Sequence, residues 1–145
     1  MKRALYCLFL FTSAISFAQK NSGNQFAIAN DIVGTVSLFN SKKQIIQSKN
    51  EYKTAASLPK DFKKYSYLAD KGLVVYTIKN GQEGLDRLSI AQVNEINGLP
   101  KETPVYIDGY QFSNPDILVY AEILPKVAIK ENNGKKYLDI KTTSK

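Results

Sequence analysis

Histidine is absent from the 145 residues, and cysteine occurs once, as Cys7. Zinc sites of the usual His/Cys kind, Cys-His nucleophiles and Ser-His-Asp triads are thereby excluded. Arginine is nearly absent as well. Arg3 and Arg87 stand alone among the 20 basic residues, which face 13 acidic ones for a formal charge of +7. Without arginines interleaved among aromatic rings, nucleic acid is not expected as a partner. No Asp-x-Asn-x-Asn-Gly run is present, and "ENNG" (131–134) reads as a hairpin turn rather than a calcium loop. No cofactor and no metal are expected. Nor is there an apolar run of the about 20 residues that a membrane-spanning helix needs.

The longest apolar stretch is Ala4 to Ala14, near the start "MKRALYCLFLFTSAISFAQK". Lys2 and Arg3 precede it, and Ser16 and Ala18 supply the small residues a signal peptidase accepts. Residues 1–18 therefore read as a secretory signal peptide cut before Gln19. Cys7 lies within the apolar run behind Leu5-Tyr6, where a lipoprotein signal wants a small side chain, so lipidation is not expected. Residues 19–145 would remain, the length of one ordinary domain. Losing Lys2 and Arg3 from the +7 total leaves +5, spread over "SKK", "KDFKK" and "NNGKK". The exported domain would hold no disulfide, so its stability must come from a packed core.

Residues 19–30, rich in Asn and Gln, read as a flexible lead-in to a single α+β domain over 31–145. "IVGTVSLF" (32–39) predicts a strand with a bulge at Gly34. A second strand is expected over 43–48, followed by a polar turn. "LPKDFKKYSYLADKG" (58–72) predicts a helix with Pro59 in its first turn, Phe62, Tyr65, Leu68 and Ala69 on one face, and Gly72 as its stop. "LVVYTIK" (73–79), apolar on both faces, predicts a central strand. "NGQEG" turns the chain. "SIAQVNEING" (89–98) predicts a short helix with Ser89 and Gln92 as a capping box and Gly98 at its end.

Val105–Ile107 and Tyr110–Phe112 predict two short strands joined by Asp108-Gly109. Ser113-Asn114-Pro115-Asp116 reads as a third helix start, with Ile117, Leu118, Tyr120, Ala121 and Leu124 as its apolar face and Pro125 as its end. Residues 126–143 predict a hairpin turning at "NNG", with Val127 and Ile129 facing Leu138 and Ile140. Short strands with about three short helices on a mixed or antiparallel sheet make an α+β fold.

What chemistry remains belongs to carboxylates, lysine, serine and tyrosine. Ser57-Leu58-Pro59-Lys60 has the Ser-x-x-Lys spacing that brings an amine to a hydroxyl one helical turn away, but without the Ser-Asp-Asn and Lys-Thr-Gly companions. Asp108, Asp116 and Glu122 lie close in sequence, as a glycosidase pair would, though each also suits a turn or helix position. Tyr106, Tyr110 and Phe112 flank the Asp-Gly turn. Such rings give large contact area at low entropic cost, and equally serve as half-buried strand residues. The candidate binding residues are thus Tyr106, Asp108, Tyr110 and Phe112, and no catalytic residue is assigned.

Four segments resemble the plug domain of TonB-dependent outer-membrane receptors. They are Pro104-Val105-Tyr106-Ile107-Asp108-Gly109, Asn114-Pro115-Asp116-Ile117, Ile123-Leu124-Pro125-Lys126 and Leu138-Asp139-Ile140-Lys141-Thr142-Thr143. That family places an Ile-Asp-Gly turn, an Asn-Pro-x-x-Ile element, a Val-Leu-Lys-Gly segment and a closing strand ending in Thr-Lys in this order. Here Pro125 interrupts the Leu-Lys pair, no Gly-rich stretch precedes the last strand, and no barrel is present. The resemblance covers residues 104–143 and implies a free-standing plug-like domain that binds or docks rather than transports.

These readings converge on an exported, non-catalytic α+β module of the cell envelope, periplasmic, outer-surface or extracellular. Its expected partner is another envelope protein or an anionic glycan. Two other classes stay open: a secreted hydrolase working through Ser57 and Lys60 or through paired acids, and an inhibitor of a secreted enzyme.

Overall fold

The computed structural model describes residues 25–143. The proposed signal peptide, and residues 19–24 of the proposed lead-in, lie outside the described residues. The fold is α+β, with two mixed sheets. Among the described residues no helix is long and apolar enough to cross a membrane.

Phe26–Ala29 forms β1 and Ile32–Thr35 forms β2. Both are buried throughout. The lead-in reading is therefore corrected for its last residues: "FAIA" is a core strand. Asn30 and Asp31 close the β1–β2 hairpin with φ of 52° and 63°, the doubly left-handed turn that matches strand twist. Gly34 is no bulge, because the β1–β2 register runs unbroken from Phe26↔Thr35 to Ala29↔Ile32. A Cβ on it would lie 2.9 Å from the Phe39 ring. The second half of the expected strand 32–39 is helix α1, Val36–Asn40. Thr35 ends the strand by accepting the Leu38 N–H on its Oγ1 at 3.1 Å, an N-cap that competes with further extension.

Lys43–Ile45 is a 3₁₀ turn, and β3 runs over Ile46–Tyr52, later than the expected 43–48. Its extent is set by the partner strand β4, Leu73–Ile78. Lys60–Leu68 winds as a 3₁₀ helix rather than an α-helix. Phe62, Tyr65 and Leu68 recur at three residues, the 3₁₀ period, and Tyr65 and Leu68 are buried. Gly72 follows with φ of 85°. Strand β5, Arg87–Ser89, leads into helix α2, Ile90–Ile96. The expected capping box is present: Ser89 Oγ accepts the Gln92 N–H at 3.1 Å, and Gln92 Oε1 accepts the Ser89 N–H at 2.9 Å.

Val105–Ile107 (β6) and Tyr110–Phe112 (β7) form the expected hairpin. Residues 113–116 do not start a helix. Asn114 Oδ1 accepts the Asp116 N–H at 2.9 Å in a local turn, and β8, Leu118–Tyr120, follows. The β-prone "LVY" fills the slot between β2 and β5, and a helix this short has little stability of its own. Residues Ala121–Ile123 add one 3₁₀ turn. Lys126–Asn132 (β9) and Lys135–Lys141 (β10) close the chain as the expected hairpin, with Asn133 and Gly134 at φ of 53° and 78°.

One sheet has six strands in the order β3-β4-β1-β2-β8-β5, and the other has four in the order β7-β6-β10-β9. The central β1 pairs with β2 antiparallel and with β4 parallel. β10 pairs with β6 parallel and with β9 antiparallel. The sheets share a core through Phe26 on β1, whose ring lies 5.2 Å from Tyr110 and 6.0 Å from Phe112 on β7.

Candidate functional site

The β6–β7 turn joins Ile107 to Tyr110, so Val105 faces Phe112 and Tyr106 faces Gln111. Side chains alternate across a strand. Tyr110 and Phe112 therefore share the core face with Val105 and Ile107, and Tyr106 points the other way. Phe112 is only 1% exposed. Tyr110 is buried, and its hydroxyl donates to Asp70 Oδ1 at 2.6 Å. Burial raises its pKa, with the Asp70 hydrogen bond and negative charge adding to the shift. The four predicted binding residues thus do not form one surface patch. Tyr106 is the half-exposed member, and its ring meets Tyr137 edge to face at 5.4 Å.

Asp108 holds the end of the sheet. It is buried with φ of 50°. Its carboxylate accepts the Thr142 N–H at 3.0 Å and the Thr142 hydroxyl as well. Its own N–H donates to the Ile140 carbonyl at 2.9 Å. This aspartate clamps the turn to the chain leaving β10.

The other candidate sets are dispersed. The Ser57 hydroxyl donates to the Thr54 carbonyl at 2.7 Å and its oxygen accepts the Thr54 N–H at 3.4 Å. The amine that reaches this turn belongs to Lys63, on the carbonyls of Ala55 and Ala56, and not to Lys60. Asp116 is exposed in the 113–116 turn, whereas Glu122 pairs with Lys42 at 3.5 Å. Among the described residues no group of three or more acidic, histidine or cysteine side chains is placed to hold a metal.

A different feature stands out at the far side of the smaller sheet. Strand β9 lies at its edge, with all seven residues exposed. Val127 and Ile129 oppose Ile140 and Leu138 in the ladder, so they continue the core face. Leu138 and Ile140 are fully covered, while Val127 is 37% and Ile129 is 51% exposed. The core face thus runs out from under its cover at β9.

The direction of the backbone groups follows from the ladder. The Leu138 N–H donates to Pro104 and the Ile140 carbonyl accepts from Asp108. Leu138 and Ile140 therefore direct their backbone groups to β6, away from β9. Their antiparallel partners Ile129 and Val127 are non-hydrogen-bonded pairs. It follows that Val127, Ile129 and, by alternation, Glu131 direct N–H and C=O outward to an edge that no other described strand covers. Ala128 and Lys130 direct theirs to β10.

Each remaining edge is less open. β5 and β7 have three residues each. β3 is as long as β9 but polar at its five middle residues, and its register shifts between Ile46 and Ser48. Short, bulged or polar edges resist pairing. β9 is long and regular and carries apolar side chains beside its unpaired backbone. On the opposite face, Lys130 meets Asp139 at 2.6 Å and Lys141 meets it at 3.7 Å. The hydrogen bond to Asp139 raises the Lys130 pKa, against a smaller opposing effect of burial.

The sequence reading placed Val127 and Ile129 correctly in an alternating hairpin but did not single them out. Alternation predicts which face they share with Leu138 and Ile140, whereas the strand order that leaves them uncovered is not written locally. No known protein family, curated protein or solved structure matches this chain.

Proposed function

We propose that the protein is an exported, non-catalytic cell-envelope module that docks a protein partner through the edge strand β9. The observation that carries this reading is the apolar pair Val127 and Ile129, 37% and 51% exposed, beside a run of backbone donors and acceptors left unpaired among the described residues. Export is supported by the charged, apolar and small-residue segments of residues 1–18. The plug-like resemblance agrees with a docking role. Its Ile107-Asp108-Gly109 turn and its closing strand come together in one sheet, with β6 beside β10 and Asp108 on Thr142.

The test is photo-crosslinking in cells that express the full chain. A photoreactive amino acid at position 129 is expected to trap a discrete partner in the exported fraction. The same group at position 49, on the polar edge β3, is not. Equal products from both positions, or none from 129, would contradict docking at β9. Retention of an uncleaved chain in the cytoplasm would contradict export.

A further inference from the structure

We infer that β9 receives an extended acidic–apolar segment of a partner protein as an added fifth strand of the smaller sheet. This inference rests on the docking reading and specifies its geometry and chemistry. The outward N–H and C=O groups of Val127, Ile129 and Glu131 fix the register, because only partner residues opposite these three can exchange hydrogen bonds with them. The face of the partner follows from the same alternation. Residues opposite Val127 and Ile129 land on the core side, where apolar groups extend the layer begun by Leu138 and Ile140. Residues opposite Lys126 and Lys130 land on the other side, where Lys126, Lys130 and Lys141 surround the single carboxylate of Asp139 and leave net positive charge for a partner's acids. Ala128 leaves room between them.

Charge and register together favour such a partner over a second copy of the chain. Two β9 strands paired antiparallel with Val127 opposite Ile129 would set Lys126 opposite Lys130, and like charges directly opposed are destabilising. Shifting the register so that Ile129 opposes its own copy keeps that one apolar pair but sets both Val127 side chains against Glu131, and centring it on Val127 sets both Ile129 residues against Pro125, which has no N–H to give. A segment reading acid–apolar–x–apolar–acid has neither fault. The lysines thus act as a guard against self-pairing and as a selector for the acidic partner.

The probe is a blocked peptide, Glu-Ile-Thr-Val-Glu, titrated into the isotope-labelled protein and followed by NMR. Its signals should shift the amides of Val127, Ile129 and Glu131, and a scrambled peptide without alternation should not shift them. Ile129→Pro removes an outward N–H that the β9–β10 ladder does not use, and should weaken binding about tenfold or more. Lys126→Glu leaves the backbone untouched, and should reverse the preference toward a peptide with lysine at the facing end. Binding that survives Ile129→Pro unchanged, or a preference that ignores Lys126→Glu, would overturn strand addition. So would shifts confined to another surface, or no shift at any peptide concentration. Concentration-dependent dimerisation that protects β9 would overturn it in favour of a second copy. If position 129 still crosslinks a partner in cells while the peptides fail, strand addition is wrong and docking stands. If the crosslink fails too, the docking reading falls with it.

Discussion

Replacing Phe112 by alanine measures whether the β6–β7 register is right. In this register Phe112 is 1% exposed, with its ring 6.0 Å from Phe26 and 5.6 Å from Tyr67. Truncating a phenylalanine in such a site costs about 3–5 kcal/mol, as lost transfer energy and cavity together. For a domain of this size that lowers the melting temperature by roughly 10–20 °C. Tyr106, two residues before the turn on the opposite face, is half-exposed and meets Tyr137 edge to face at 5.4 Å. Tyr106→Ala should cost about 1 kcal/mol. A slip of one residue would exchange these faces. Urea or thermal unfolding of both variants reads the difference directly. Equal losses, or a larger loss for Tyr106→Ala, would refute the assignment of Tyr110 and Phe112 to the core.

Further outcomes follow from single groups. Asp108→Ala removes both bonds to Thr142 and leaves that N–H without its acceptor, so it should cost about 1–3 kcal/mol in unfolding free energy, with no dependence on any ligand. Asn94 is fully buried and donates to the carbonyls of Lys101 and Thr103 at 3.0 and 2.9 Å. Asn94→Asp swaps those donors for a buried carboxylate facing carbonyls, and should lose about 3 kcal/mol or more at neutral pH. At alkaline pH the hydroxyl of Tyr120, which donates to Ala29 at 3.0 Å, stays protonated in the fold, because burial pushes its pKa up to about 12 despite the Arg87 charge. The unfolded chain releases that proton near the ordinary tyrosine value of 10, so this contribution is complete below pH 10 and disappears as pH rises toward 12. Comparing the alkaline unfolding of the wild type and Tyr120→Phe should show a shallower decline in the variant. Asp31 acts in the opposite range. Burial raises its pKa, but hydrogen bonds from Lys64 and Tyr65 and the Lys64 charge outweigh that and hold it below 3.8. Asp31→Asn should thus reduce stability near neutral pH by a small amount, and the difference should vanish as pH falls below 3.8.

Much of the fold is legible where the controlling interaction is local. Ser89 and Gln92 announce their helix because both partners of the capping box lie within one turn. Asn133-Gly134 and Asp108-Gly109 announce hairpins because these residue types tolerate left-handed backbone. The opposite faces of Tyr106 and Phe112 were also readable. A two-residue turn at Asp108-Gly109 fixes the pairing, and alternation then separates the rings. Strands β1 and β8 were hidden for another reason. "FAIA" and "LVY" are four and three residues long and gain their extended form from neighbours distant in the chain. β1 borrows β4, and β8 borrows β2 and β5. Asn30-Asp31 did offer a turn signal for the first hairpin. The candidate site was the least legible element, since being at an edge is a property of strand order. The lysines of "KVAIKEN" suit an edge strand, but nothing local says which backbone groups stay unpaired or that the apolar face loses its cover there.

Residue-resolved amide hydrogen exchange along β9 tests the central claim most directly. In the protein alone, Ala128 and Lys130 should exchange slowly, while Val127, Ile129 and Glu131 exchange fast. With the crosslinked partner or its acidic–apolar segment bound, those three should become protected as well. Uniform protection of the strand in the free protein, or partner binding that leaves Val127, Ile129 and Glu131 exchanging as before, would contradict the account.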